Sequence, residues 1–209
     1  MNAFHSKSDF LYSQVRRYLQ SGHYAPGQRI DPATLASEFH TSPTPVRFAL
    51  YRLVGQGLLK DHARSGLHVP LPTEVALRDL YDWMQRLLLM ACDIGISPIA
   101  RAEPELDVAS PDADVVKLTW QLFDAIAGAT GHRSLHLAVK QANDQLAPIR
   151  RAKKRLLKQP VEELSGLNRH WRARDLQGLQ HAVRDYHDRR KQLVPGIVAL
   201  LSDASDRLH

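Results

Sequence analysis

The sequence predicts a mostly α protein: an N-terminal winged helix-turn-helix of three helices and a small β-hairpin, then an all-α helical bundle. Three observations predict it. Two short helical patterns, each with a capping residue, stand close together before residue 55. A hairpin pattern follows over residues 58–71. After residue 74 apolar residues recur at helical spacing with no strand signal or repeat. The expected division is residues 1–70 for the winged unit, 71–74 for a linker and 75–209 for the bundle.

In chain order, Phe10, Leu11, Val15, Tyr18 and Leu19 share a helical stripe, with Ser8 as its expected N-cap and Gly22 as its stop. HYAPGQRI is a turn leading into a short extended piece. Asp31 is placed to cap a second helix that opens on Pro32 and turns Leu35, Ala36 and Phe39 inward. Ser42 is placed to cap a third, with Val46, Ala49, Leu50 and Leu53 as its inner stripe. Pro45 is tolerable there because first-turn amides have no intrahelical acceptor. Gly55 and Gly57 mark its end. LLKDHARSGLHVPL reads as two strands with Arg64, Ser65 and Gly66 at the tip. Pro70, Pro72 and Thr73 form the boundary. Helices are then expected over Val75–Ile94, 112–130, 132–158, 160–173 and 175–202, with breaks permitted at Pro148 and Pro195. Residues 97–111, with three prolines, are expected to be a loop. Together these make a bundle of five or six helices.

The charge is unevenly placed. Residues 1–70 hold eight Lys/Arg against four Asp/Glu, while the remainder is nearly balanced. A basic balance favours polyanionic partners. The lone cysteine, Cys92, lies in an apolar run, which excludes an internal disulfide or a cysteine-based zinc site and suits a small buried hydrophobe. The N-terminus lacks the apolar core of a secretory signal and Leu87–Cys92 is too short to span a bilayer, so a cytoplasmic protein without membrane association is expected.

A helix-turn-helix followed by a hairpin can lay its second helix in a major groove. At the joint, EFHTSPTPVR, the hydroxyls of Ser42 and Thr44 and the helix-start amides suit phosphate oxygens. Arg47, near the helix start, can present its guanidinium fork to guanine O6 and N7. Arg52 lies five residues on, on a neighbouring face. Arg64 and Gly66 at the hairpin tip are placed to reach the backbone or the minor groove. On composition alone, a basic helical unit is more often a solvated surface than a DNA reader.

The ordered pattern is more specific. APGQRIDPATLASEFHTSPTPVRFALYRLVGQGLLKDHARSGLHV resembles the winged-helix signature of the GntR family, with matches at Pro26, Gly27, Leu35, Ala36, Ser42, Thr44, Pro45, Val46, Arg47, Ala49, Leu50, Leu53, Gly57, Leu58, Gly66 and Val69. The resemblance implies a transcriptional regulator. It would bind double-stranded operator DNA as a homodimer, with Ser42, Thr44, Arg47 and the hairpin tip at the DNA. Where the family usually has arginine between the serine and threonine, this chain has Pro43. Either the operator differs, or Arg47, Arg52 and Arg64 carry more of the readout.

The C-terminal part resembles, more weakly, the FadR-like branch, whose effector domain is called FCD. LPTEVALRDLYDWMQRLL is similar to its opening helix, LFDAIAGATGHRSL to a middle segment and GLQHAVRDYHDRRKQLVPGIV to its closing helices. Such domains often hold a divalent metal. The resemblance sets the metal-binding aspartate and first histidine on Trp120 and Asp124, and the two later histidines near Leu176 and Val198. An arginine common in the opening helix falls on Met84. The usual metal site is therefore dismantled and no cofactor is assigned. Replacement ligands are His132 and His136, spaced i, i+4, with His170, His181 or His187 nearby; surface histidines are the plainer reading. Met84, Trp120, Asp124 and Trp171 are the candidate lining of an effector pocket, with Trp83 and Tyr186 as further aromatics, although aromatics at this spacing are more often core. The effector itself is not named by the sequence. RRAKKRLLK, residues 150–158, reads as a solvated helix face.

Catalysis is not expected: there is no glycine-rich phosphate loop, HExxH or GxSxG motif. The alternative to a DNA-binding regulator, a ligand-responsive repressor above all, is an adaptor that keeps the winged fold without specific DNA binding.

Overall fold

The computed structural model describes residues 3–98, 113–152, 156 and 159–207. Much of the expected loop at 97–111 and most of the basic run at 150–158 lie outside the described residues. The chain divides into two compact units. The first runs to Leu71 and includes Ala147–Ala152 and the chain from Ala199; the second is Pro72–Leu146 with residues 153–198.

The first unit opens with α1 (Ala3–Ser21). Ser8 lies inside this helix and does not cap it: residues 3–8 contain no proline or glycine, so the helix continues toward the N-terminus. Strand β1 (Arg29–Ile30) leads to α2 (Pro32–Glu38). Asp31 caps α2 as expected. Its carboxylate accepts from the amide and the hydroxyl of Thr34, both at 2.9 Å, and these bonds hold its pKa below the ordinary carboxylate value. The turn passes through His40 in the left-handed region (φ 47) and enters α3 (Pro43–Gly55). Strands β2 (Lys60–His62) and β3 (Gly66–His68) form the hairpin. The extended piece at β1 adds a third strand, so β3 is central in the order β1-β3-β2, with Ile30 opposite Leu67 and His62 opposite Gly66.

This small sheet and three helices close one core. Leu11, Val15 and Leu19 of α1 meet Leu35 of α2 and Val46, Ala49, Leu50 and Leu53 of α3, with Ile30, Leu59, Leu67 and Val69 from the sheet side. The inner stripe of α3 is the one its 3.6-residue period requires. Its opposite face is therefore fixed outward by burial of the first.

The helices that follow are α4 (Glu74–Ile94), α5 (Val115–Gly128), α6 (Arg133–Ala152), α7 (Pro160–Arg172), α8 (Leu176–Gln192) and α9 (Val194–Asp206). Among the described residues six helices follow residue 72, in keeping with the expected bundle. Thr73 caps α4 through the amide of Ala76, Asp114 caps α5 through Lys117 and Asp175 caps α8 through Gly178. Pro148 sits inside α6 without ending it, whereas the long last pattern breaks at Leu193, just before Pro195. Leu77, Tyr81, Met84 and Leu88 of α4 are buried, as are Phe123 of α5, Val139 of α6, Leu164 of α7 and Leu179 and Val183 of α8.

One part of the basic run at 150–158 departs from expectation: Arg150 is buried, so its described beginning is not a uniformly solvated face. Cys92 behaves as the small hydrophobe expected of it. Burial, aided by Asp93, pushes its thiol up to about 11. At neutral pH the thiolate, which is the reactive form, is then roughly 100-fold scarcer than in an unperturbed thiol. A chromogenic disulfide reagent should label Cys92 slowly in the native protein and rapidly in urea; fast native labelling would show that α4 opens around it.

Candidate nucleic-acid interface

Two features build the candidate surface: the outer face of α3 and the hairpin beside it. The outer face carries Thr44, Arg47, Phe48, Tyr51 and Arg52, all exposed. The helix begins cheaply. Of the four amides at a helix start that lack an intrahelical acceptor, prolines at 43 and 45 remove two, leaving those of Ser42 and Thr44. Ser42 is the N-cap residue but its hydroxyl makes no capping hydrogen bond. An anion at this end meets free donors and the positive pole of the helix. Beside it, Lys7, Ser37, His40, Thr41, Ser42 and Pro45 line an open groove of about 620 Å³ between α1, α2 and α3.

Arg47 points outward with the face. Arg52 is used differently: its guanidinium pairs with Asp9 Oδ1 at 2.6 Å and lies over the Tyr12 ring, 4.1 Å from its centroid. It thereby bridges α1 and α3 while staying exposed, and Arg47 is the cation of α3 nearer the helix start. In the hairpin, Arg64 is exposed at the tip and Gly66 has φ 82, a value that only glycine takes without strain. Arg29, on the neighbouring strand, reaches toward Gly66 and adds a second cation there.

Sequence reasoning missed Phe48, Tyr51 and Arg29. For the first two the signal was present. Once Val46, Ala49, Leu50 and Leu53 point inward, positions 48 and 51 must point outward, and large apolar residues on an outer face ask for a partner. Arg29 carried no comparable signal, because its approach to the hairpin depends on β1 pairing with β3.

In the helical unit the candidate pocket residues have separate partners. Met84 is fully buried. Trp120 donates its indole N–H to Asp144 Oδ1 at 2.8 Å, and its carbonyl accepts from the Asn143 amide. Asp124 Oδ1 lies 2.8 Å from His136 Nε2. Trp171 is buried with the Arg174 guanidinium 5.2 Å from the ring centroid. The candidate metal ligands do not converge: His136 is with Asp124, and His181 Nδ1 faces the Gln177 carbonyl of its own helix. Among the described residues no three His, Cys, Asp or Glu side chains are grouped to hold a metal ion. Among the same residues no helix is long and apolar enough to cross a membrane.

Comparison with known proteins gives this geometry a context. Residues 7–69 match the model for bacterial regulatory proteins of the gntR family. The chain is 23% identical over 146 residues to the uncharacterized HTH-type transcriptional regulator YdhC of Bacillus subtilis, covering 64% of this chain and 65% of that protein. It is 39% identical over 62 residues to the Nta operon transcriptional regulator of Aminobacter aminovorans, covering 30% of each. The match thus spans just under two thirds of the first relative and under one third of the second. Among solved structures, a putative transcriptional regulator GntR from Rhodococcus sp. superposes with a TM-score of 0.74 at 13% identity, over 91% of this chain and 98% of that one. E. coli McbR/YncC superposes at 0.67 and 19% identity, over 94% and 99%. At these identities the likeness is one of fold, and it extends through the helical unit. The segment from residue 7 to 69, with its three helices and three short strands, is a winged helix-turn-helix and is similar to bacterial regulatory proteins of the gntR family.

Proposed function

We propose that this chain is a sequence-specific DNA-binding transcriptional regulator, acting as a homodimer and as a ligand-responsive repressor. Residues 1–70 are the DNA-binding domain, 71–74 the linker and 75–209 the effector-binding and dimerisation domain, of the FadR-like FCD kind with its usual metal ligands replaced. The observation that carries the reading is the outward face of α3, where Thr44 and Arg47 stand beside the two remaining helix-start amides, those of Ser42 and Thr44, and a hairpin bearing Arg29 and Arg64. The names of its relatives, transcriptional regulators both, support it.

Ser42, Thr44 and the hairpin tip with Gly66 hold phosphates and set the register; Arg47 enters the major groove and reads a base. Pairing of two chains would set the spacing of two recognition helices on a near-palindrome. An effector in the helical domain, near Trp120 and Asp124, would act by binding the DNA-competent and incompetent arrangements with different affinity.

Selection from random duplexes followed by a gel shift against competitor DNA tests this. Enrichment of one motif is the expected result; no enrichment, with weak salt-sensitive binding only, would favour the adaptor reading. Arg47→Ala should weaken binding to the selected duplex by about 1–3 kcal/mol while circular dichroism stays unchanged. Equal affinity of the variant and the parent would remove Arg47 from the interface.

A further inference from the structure

We propose that Phe48 is a base reader: its ring packs on the C5-methyl group of a thymine at one fixed position in each half-site. The inference rests on the DNA-binding reading above and adds to it which base the helix demands.

Phe48 is 63% exposed and Tyr51, one turn further along the same face, is 54% exposed. The residues behind them, Val46, Ala49, Leu50 and Leu53, are buried in a closed core, so neither ring has a use inside its own unit. Two aromatic rings held in water on the outer face of one helix forgo apolar burial unless something covers them. The surroundings decide what that is. Arg47 is adjacent, the free donors at Ser42 and Thr44 lie one turn back, and the hairpin cations Arg29 and Arg64 belong to the same unit. Aromatic rings and arginines are common in protein contacts too, but three arginines with no carboxylate on this face, beside the amides of Ser42 and Thr44, are complementary to a phosphate-lined groove.

Inside the major groove, the apolar feature on a base edge is the thymine methyl, and a phenyl ring is one of the side chains that reads it. The rest of the face supplies few competing readers. Pro43 has no donor, and Arg52 is engaged by Asp9 and Tyr12. Along the helix axis Phe48 lies roughly 6 Å from Thr44. That is close to two base steps, at roughly 3.4 Å each. Arg47 and Phe48 are consecutive, about 1.5 Å apart along the axis and about 100° apart around it, so the two side chains address different edges, one through hydrogen bonds and one through a methyl.

The test uses the full chain and a duplex enriched by it from random sequence. Each thymine in turn is replaced by deoxyuridine, which removes the methyl and leaves base pairing intact. We expect one position per half-site at which the replacement weakens binding about fourfold, the worth of one buried methyl. In Phe48→Ala, folded as judged by circular dichroism, the parent duplex should bind roughly tenfold more weakly, since apolar burial scales with area. The deoxyuridine penalty at that position should vanish, and the salt dependence should persist because phosphate contacts are untouched. Phe48→Leu should keep part of the penalty. A penalty that is absent everywhere, or unchanged in Phe48→Ala, overturns the proposal while leaving the regulator reading intact. A change in self-association of Phe48→Ala by sedimentation, with no effect of deoxyuridine, also overturns it and makes the face a protein contact. Failure to enrich any duplex defeats the regulator reading itself, and this inference with it.

Discussion

Replacing Glu163 by alanine should lower the stability of the helical unit by about 3–5 kcal/mol, the cost of leaving a buried charge without its partner. Arg190 has 3% of its side chain exposed, and its Nη2 meets Glu163 Oε2 at 2.5 Å. Its Nη1 donates to the Tyr186 carbonyl at 2.8 Å, and its guanidinium lies 3.3 Å from the Tyr186 ring centroid. Burial pulls the Arg190 pKa down, but Tyr186 and the Glu163 carboxylate outweigh it and hold the charge on. Once the carboxylate is gone, the peptide carbonyl and the ring remain but the counter-charge does not. The second ion pair of Glu163, to Arg189 at 2.6 Å, is half in solvent on the arginine side and contributes at most about 1 kcal/mol. Trp83, Trp120 and Trp171 all lie between residues 72 and 198, so tryptophan fluorescence follows this unit during urea unfolding. Glu163→Gln, which keeps an acceptor but no charge, should fall between. The double replacement Glu163→Leu with Arg190→Met should recover most of the loss, because removing both charges also removes their desolvation cost. A single Glu163→Ala variant as stable as the parent would mean that Arg190 is not held as a buried charge.

The contrast between that pair and the α3 face explains what the sequence made legible. Asp31 followed by Pro32, and Ser42 followed by Pro43, are local signals: cap and first turn lie within four residues, so the physics that starts a helix is visible in the string. The hairpin declared itself by Gly66 and the alternation of Leu67, His68 and Val69 after it for the same reason. Glu163 and Arg190 are 27 residues apart on different helices, and nothing in either neighbourhood marks them as partners. The engagement of Arg52 by Asp9 and Tyr12 is likewise decided by how α1 lies on α3. Ser8 failed in the opposite direction. A serine before an apolar stripe looks like a cap, yet no breaker stops the helix from running on to Ala3. In the candidate effector pocket, the type of Trp120 and Asp124 was readable but their partners on α6, Asp144 and His136, were not.

Leu50→Ala should destabilise the winged unit by about 2–5 kcal/mol. Leu50 is fully buried at the centre of the inner stripe of α3, between the α1 and α2 layers. Its core is drawn from Leu11–Val69 alone, and a core of that size has only about 3–5 kcal/mol to lose. This one change therefore unfolds a substantial fraction of molecules, and hydrogen exchange of the α3 amides reports it directly. DNA binding falls as well, but through population: the apparent dissociation constant rises by the reciprocal of the folded fraction. The loss should shrink when a protecting osmolyte restores the folded state. The loss in Arg47→Ala should not, because there the folded state is intact and a contact is missing. The two variants thus separate holding the helix from reading with it. Undisturbed exchange protection in Leu50→Ala would mean that this stripe does not anchor α3. The residues assigned to its outer face, Thr44, Arg47, Phe48 and Tyr51 alike, would then have no fixed direction in which to meet a duplex.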